Sequence, residues 1–174
     1  KTTVLASKIV HEMFHGYQTV QGWNCSANEM EALCRYEYSA ENLTLKLREN
    51  DLLLSLLDGS DEAALRELMA HRKLRSEIYP YEYSYESKVE EIEGTATYVE
   101  WMVLKQLDER EAKVLTNRMR TVMTKPEYLL PIRISGYYTG ALMINALSSA
   151  GIYPFAAADR PVGISALKAV TPSD

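Results

Sequence analysis

Two histidines, His11 and His15, stand four positions apart, and Glu12 directly follows the first of them. A spacing of four on an α-helix brings both imidazoles to one face, a single turn apart, where both can bind one metal ion. In sites of this HExxH type, the two histidines bind zinc and the glutamate takes a proton from a metal-activated water. Because the whole chain has only three histidines, a chance match is rare, and the pattern predicts a catalytic zinc site.

A catalytic zinc site needs a third protein ligand and keeps its fourth position open. The longer HExxHxxGxxH pattern is absent, because Gln18 and Gln21 stand where it needs Gly and His. The remaining histidine, His71, falls on a charged predicted helix, where we expect it to be solvated. The third ligand is therefore expected to be a carboxylate further along the chain.

Glu90 and Glu93 are the two candidate carboxylates. Glu90 completes a capping-box pattern with Ser87, which gives it another role at a helix start. Glu93 is followed by Gly94 and Ala96, whose small side chains leave room for a second helix to approach closely. These neighbouring residues favour Glu93 as the third ligand and leave Glu90 as the alternative.

The segment from Glu93 to Glu100 reads Glu-Gly-Thr-Ala-Thr-Tyr-Val-Glu. It resembles the Glu-Gly-x-Ala-x-Tyr-x-Glu stretch of aminopeptidase-N-like enzymes, which are gluzincin metallopeptidases, as is thermolysin. The resemblance implies that Glu93 is the third ligand, that Zn2+ is the cofactor, and that the protein hydrolyses peptide or protein substrates. The chain lacks the Gly-x-Met-Glu-Asn motif of the aminopeptidases, and its spacer between His15 and Glu93 is much longer.

Four further residues are candidates for supporting roles. Glu100, seven residues after Glu93, shares its helix face and could orient a histidine or bind a substrate amine; the alternative is a solvated carboxylate. Tyr137 or Tyr138 could donate a hydroxyl to a developing oxyanion. Arg133 could bind a substrate carboxylate. An ordinary structural role is the alternative for these last three.

The apolar periodicity predicts a mainly α fold. The resemblance implies a zincin-like helical catalytic domain, whose upstream β-sheet is short or missing from this chain. The predicted helices span about 3–18, 28–38, 39–57, 60–77, 87–107, 109–123 and 135–149. Because proline restricts the residue before it, we expect residues 79–85 to be extended or turn-like, and the tail after Tyr153 to be irregular. We interpret 1–174 as one domain, which could be a fragment of a longer protein, with 24–85 as a helical insertion between the ligand helices.

A net charge of −5 and a pI near 5.3 argue against nucleic acid as a partner. No apolar run is long enough to span a membrane. Cys25 and Cys34 are interpreted as buried thiols rather than as a disulfide. We favour a cytoplasmic location for the chain as given and a secreted one if an upstream signal was removed.

Two other functions fit the same motif. One is a non-peptide zinc hydrolase, since a metal-activated water attacks other electrophiles too. The other is a non-catalytic binding or sensor module, which would have no use for Glu12. A structural zinc site is disfavoured because closed sites prefer four Cys or His ligands.

Overall fold

The computed structural model describes residues 1–23, 26–59 and 61–152. These residues are helical and contain no strand, so the prediction of a mainly α fold is confirmed. The α-helices are α1 (Thr2–Val20), α2 (Glu29–Arg35), α3 (Ala40–Ser55), α4 (Glu62–Ile78), α5 (Pro80–Val89), α6 (Thr95–Leu107), α7 (Glu109–Thr124) and α8 (Ile132–Ser149). A π-helical segment, Glu90–Gly94, joins α5 to α6, and a 3-10 turn, Pro126–Leu129, precedes α8.

Side-chain caps explain where several helices begin. Ser39 caps α3, because its hydroxyl oxygen accepts a hydrogen bond from the Asn42 amide at 3.3 Å. At α4 the cap is Asp61, whose carboxylate accepts from the amides of the next turn at 2.9 and 3.2 Å. The predicted start at residue 60 lies outside the described residues.

The region around Pro80 corrects the sequence analysis. Residues 79–85 are not extended: α5 begins at Pro80, in the first helical position, where a missing N–H removes no helical hydrogen bond. Ser87 consequently lies inside α5, and its hydroxyl donates to the carbonyl oxygen of Tyr83 at 2.7 Å. The capping box with Glu90 is therefore wrong.

Helix α1 lies antiparallel to α6. At one end the Thr3 hydroxyl donates to Asp108 at 3.1 Å, and at the other Gln18 donates to the Ile92 carbonyl oxygen at 2.9 Å. On its other side, α6 runs beside α8, where Gly94 and Gly140 meet so closely that a Cβ on Gly94 would lie 2.5 Å from the Gly140 Cα. The expected close approach at Gly94 is thus observed.

Two of the helices between His15 and Glu93, α3 and α4, share the main hydrophobic core. Leu53 and Leu68, from α3 and α4, are fully buried in one cluster with Met119 and Leu142 from α7 and α8. Helices α3 and α4 are therefore part of the main core. The helical content predicted within 24–85 is observed in its described residues, while its status as an insertion stays a prediction.

Three smaller expectations can be compared with the described residues. None of the described helices has the length and apolar character needed to cross a bilayer. Cys34 is exposed on the short helix α2 rather than buried, and Cys25 lies outside the described residues, as does the tail after Tyr153. His71 is not simply solvated: it is half-buried and donates from Nε2 to the carbonyl oxygen of Leu45 at 2.7 Å.

Candidate metal centre

Within the described residues, His11, His15 and Glu93 form a group of three ligand-type side chains. The Nε2 atoms of His11 and His15 lie 3.2 Å apart, and Oε2 of Glu93 lies 3.8 Å from the first and 3.4 Å from the second. Ligand atoms on one tetrahedral zinc ion lie about 3.3 Å apart, given metal–ligand distances of about 2.0–2.2 Å. The three atoms therefore have the separations of a set that could bind one zinc ion.

Gln18 determines which nitrogen of His15 carries the proton. Its Nε2 donates to the carbonyl oxygen of Ile92 at 2.9 Å and to Oγ1 of Thr95 at 2.8 Å. This fixes the amide so that Oε1 faces Nδ1 of His15 at 2.7 Å. Because an amide oxygen only accepts, Nδ1 carries the proton and Nε2 presents its lone pair to the other ligand atoms.

Glu100 has the same role toward His11. Its Oε2 lies 3.2 Å from Nδ1 of His11, although the contact departs from ideal hydrogen-bond alignment. The ammonium of Lys8 lies 3.0 Å from the same carboxylate oxygen and 2.9 Å from the other. A carboxylate on the far nitrogen of a metal-binding histidine is a common orienting partner. Glu100 is 3% exposed, so the alternative of a solvated carboxylate is wrong.

Arg133 binds the second oxygen of Glu93. One guanidinium nitrogen donates to Oε1 of Glu93 at 2.7 Å, and another donates to Glu29 at the start of α2. Oε2 of Glu93 is thereby left to face the histidines. Arg133 thus contacts two carboxylates of the protein itself, and its role toward a substrate carboxylate stays a prediction.

The rival ligand, Glu90, faces away from the histidines. Its carboxylate accepts from Arg72 at 2.6 Å and from the hydroxyl of Thr139 at 2.7 Å. Glu93 and not Glu90 is therefore the carboxylate that the fold places beside His11 and His15.

Two pKa shifts reflect the crowding of these groups. Burial lowers the pKa of His11, but the nearby carboxylates of Glu100 and Glu93 outweigh burial and raise that pKa to about 9. Burial raises the pKa of Glu93, but its contact with His11 and the charges of His15 and Arg133 outweigh burial, and the pKa falls below its ordinary value. The cluster thus favours positive charge among its ligand atoms.

Comparison with protein-family models, with curated proteins and with solved structures found no significant match. The geometry of the site therefore carries the functional proposal.

Glu12 and the two candidate tyrosines lie in different surroundings. Glu12 is exposed, and no described residue forms a hydrogen bond or ion pair with its carboxylate. Tyr137 is half-buried beside Arg133, whose guanidinium lies 5.9 Å from the ring centroid; burial and the charge of Glu93 raise the tyrosine's pKa, so it remains a hydroxyl donor. Tyr138 instead belongs to the hydrophobic core. Adjacent residues on a helix point about 100° apart, which removes Tyr138 as a donor.

No functional role is predicted from the sequence for Gln18, Thr95, Lys8 or Glu29. Only Gln18 had a local signal, since it lies three residues after His15 on the same face of α1. Lys8 and Glu29 act through partners that are distant in sequence, which no local pattern reveals.

Proposed function

We propose that this protein is a zinc-dependent hydrolase, and specifically a gluzincin-like metallopeptidase with a zincin-like helical domain. The observation that carries the proposal is the convergence of three lone-pair atoms from His11, His15 and Glu93 at separations of 3.2–3.8 Å. Two imidazoles and one carboxylate are a ligand set of catalytic zinc, whereas structural zinc is closed by four Cys or His ligands.

The residues around the ligand set have complementary roles. When bound, zinc would supply a Lewis acid that makes water reactive near neutral pH and polarises a carbonyl group. Glu12 accepts the proton that the water loses and delivers it to the leaving group. Gln18 and Glu100 hold the imidazole rings, and Tyr137 donates its hydroxyl to the oxygen that gains negative charge.

Access and surface chemistry also fit a peptide substrate. The side chain of His15 is 27% exposed, so solvent reaches the ligand set on its side. Phe14, Tyr17 and Trp23 form an aromatic cluster on the same helix end, with ring centroids 5.6–6.0 Å apart. Such a cluster next to a metal site suits an apolar side chain of a substrate.

Glu12 favours catalysis over simple metal binding. Its carboxylate is exposed and has no structural partner among the described residues, so the described fold does not depend on it. A sensor or scaffold that only binds metal has no use for a carboxylate at this position. A non-peptide hydrolase would need it equally, so the choice of substrate class rests on the resemblance and on the aromatic cluster.

The test compares Glu12→Gln with Glu77→Gln, an exposed helical glutamate on α4 that serves as control. Hydrolysis of a peptide library is measured together with bound zinc. We expect Glu12→Gln to keep its zinc and to lose about 10²–10⁴-fold in rate, while Glu77→Gln cuts peptides like the wild type. A zinc-loaded wild type that cuts no peptide would contradict the peptidase proposal, and equal rates in the two variants would remove Glu12 as the base.

A further inference from the structure

A second buried polar cluster meets the π-helical segment at Glu90. Its six ionised members are all at most 6% exposed: Lys46, Glu49, Arg72, Arg75, Glu86 and Glu90. Three cations face three carboxylates, with contacts of 2.6–2.7 Å along the chain from Glu90 through Arg72, Glu49 and Arg75 to Glu86. We refer to these six residues as the ion network.

The stability of the fold does not by itself explain the ion network. Removing six charges from water costs several kcal/mol per ion, and a hydrophobic set of the same volume is often as stable or more so. Such a network does fix the positions of its side chains, because each charge is paired only when all members keep this one arrangement.

Glu90 is the member of the network that is built into the π-segment. Oε2 accepts from one guanidinium nitrogen of Arg72 at 2.6 Å, and Oε1 accepts from another at 3.3 Å. The hydroxyl of Thr139, on α8, donates to Oε1 at 2.7 Å. Both oxygens are thus occupied, by groups from two different helices.

The π-segment makes the side chains of Glu90 and Glu93 point to different sides of the helix. On a regular α-helix, residues three apart lie about 60° apart around the axis and face nearly the same side. A π-turn contains an additional residue, which rotates Glu93 away from Glu90. Glu90 can then reach the ion network while Glu93 reaches the histidines of α1.

Gly140 of α8 packs against the same segment. A Cβ on Gly140 would lie 2.7 Å from both the carbonyl oxygen of Glu90 and the Cα of Gly94. The backbone of the π-segment therefore lies directly on α8 and cannot move toward it.

From these contacts we infer that Glu90, held by Arg72 and Thr139, is a positioning residue that fixes the π-segment and thereby directs Glu93 to His11 and His15. The inference rests on the proposed function, because the direction of Glu93 matters to the extent that Glu93 is a metal ligand. Among the described hydrogen bonds and ion pairs, none joins Arg72 or Thr139 to His11, His15 or Glu93, so both act on the ligand set through Glu90.

The experiment compares Thr139→Val with Thr139→Ser. Valine keeps the shape of the side chain and removes the hydroxyl, whereas serine keeps the hydroxyl that donates to Glu90. Zinc affinity is measured by competition with a chelator, and the absorption spectrum of the cobalt(II) form reports the geometry of the ligands. We expect Thr139→Val to lose about tenfold in zinc affinity with an altered cobalt spectrum, Thr139→Ser to match the wild type, and Glu90→Gln to lose more than Thr139→Val.

Met119→Ala controls for a general loss of stability, because Met119 is fully buried in the main core and is not a partner of Glu90. This variant should unfold more easily and keep its zinc affinity. Wild-type affinity and an unchanged cobalt spectrum in both Thr139→Val and Glu90→Gln would overturn the positioning role while the metal site stands. Equal weakening in Met119→Ala would also overturn it. A wild type that binds no zinc would overturn the proposed function and this inference together.

Discussion

Two protein oxygens determine how the histidines face each other. Oε1 of Gln18 contacts Nδ1 of His15, and Oε2 of Glu100 contacts Nδ1 of His11. The lone pairs of both Nε2 atoms therefore point toward the carboxylate of Glu93. Three electron-rich atoms at such distances repel one another unless a cation lies between them. In the metal-free protein a proton on His11 supplies this charge: burial lowers the pKa of His11, but the carboxylates of Glu100 and Glu93 outweigh burial and raise that pKa to about 9.

Zinc should therefore compete with a proton for His11. Below pH 9 the metal-free protein holds a proton that must leave before Nε2 can bind metal, so affinity rises with pH. We expect release of about one proton per zinc at pH 7 and about a tenfold gain in affinity per pH unit up to that pKa. Calorimetric titration in buffers of different ionisation enthalpy measures both, and an affinity that is constant between neutral pH and that pKa would contradict the expectation.

Gln18 offers a test of the orienting contacts. Gln18→Met keeps the length of the side chain but removes the oxygen that accepts from His15, and we expect a 10–100-fold loss of zinc affinity, roughly what loss of an orienting partner costs. Gln21→Met, at an exposed glutamine just past α1, should bind zinc normally in the same chelator competition. Equal affinities for the two variants would show that the amide has no such role.

At the scale of the helices, the sequence predicts those features that depend on residues close together in the chain. The apolar periodicity of α1 and α3 predicted both helices nearly to their ends, and the spacing of His11 and His15 predicted two of the three residues of the candidate metal centre. The start of α5 was missed because proline is as compatible with a first helical position as with a turn. The π-segment has no periodicity of its own, and the choice between Glu90 and Glu93 depends on it, so tertiary contacts had to decide that choice.

Alanine substitutions at two helical glycines should change the stability of the fold in opposite directions, because only Gly140 lies in the contact between α8 and the π-segment. Gly140→Ala would place a Cβ 2.7 Å from backbone atoms of Glu90 and Gly94, so we expect a loss of about 1–3 kcal/mol in the free energy of unfolding. Gly16→Ala in α1 meets no atom within 4 Å and should gain up to about 1 kcal/mol from helix propensity. Urea denaturation distinguishes these results, and a harmless Gly140→Ala would contradict the close contact.

At the scale of the whole molecule, the helices between the ligand residues serve the fold as well as the site. Helices α3 and α4 supply leucines to the main core and cations to the ion network, and α5 leads directly into the π-segment. The π-segment that carries Glu93 is thus connected to α3 and α4 through charged side chains.

The ion network should make the whole molecule sensitive to acid. Burial raises the pKa of Glu86, but the charges of Lys46 and Arg75 outweigh burial and lower it from its ordinary 4.5 to about 2. A carboxylate whose folded pKa is lowered stabilises the fold above its unfolded pKa, and this stabilisation is lost as pH falls from 4.5 toward 2.

Unfolding free energies measured across this pH range should therefore fall for the wild type. In Glu86→Gln we expect lower stability at neutral pH and a weaker dependence on acid. Glu109→Gln, which loses only an exposed pair with Lys113, should follow the wild type. An acid profile of Glu86→Gln as steep as that of the wild type would contradict this role of the network.

Metal analysis of the protein purified without chelator tests the central claim most directly. We expect about one zinc per chain in the wild type and in His71→Ala, whose imidazole contacts a backbone carbonyl instead of the ligand set. His11→Ala, His15→Ala and Glu93→Ala should each lose the metal. A wild type without stoichiometric zinc, or a His11→Ala variant that keeps it, would contradict the account.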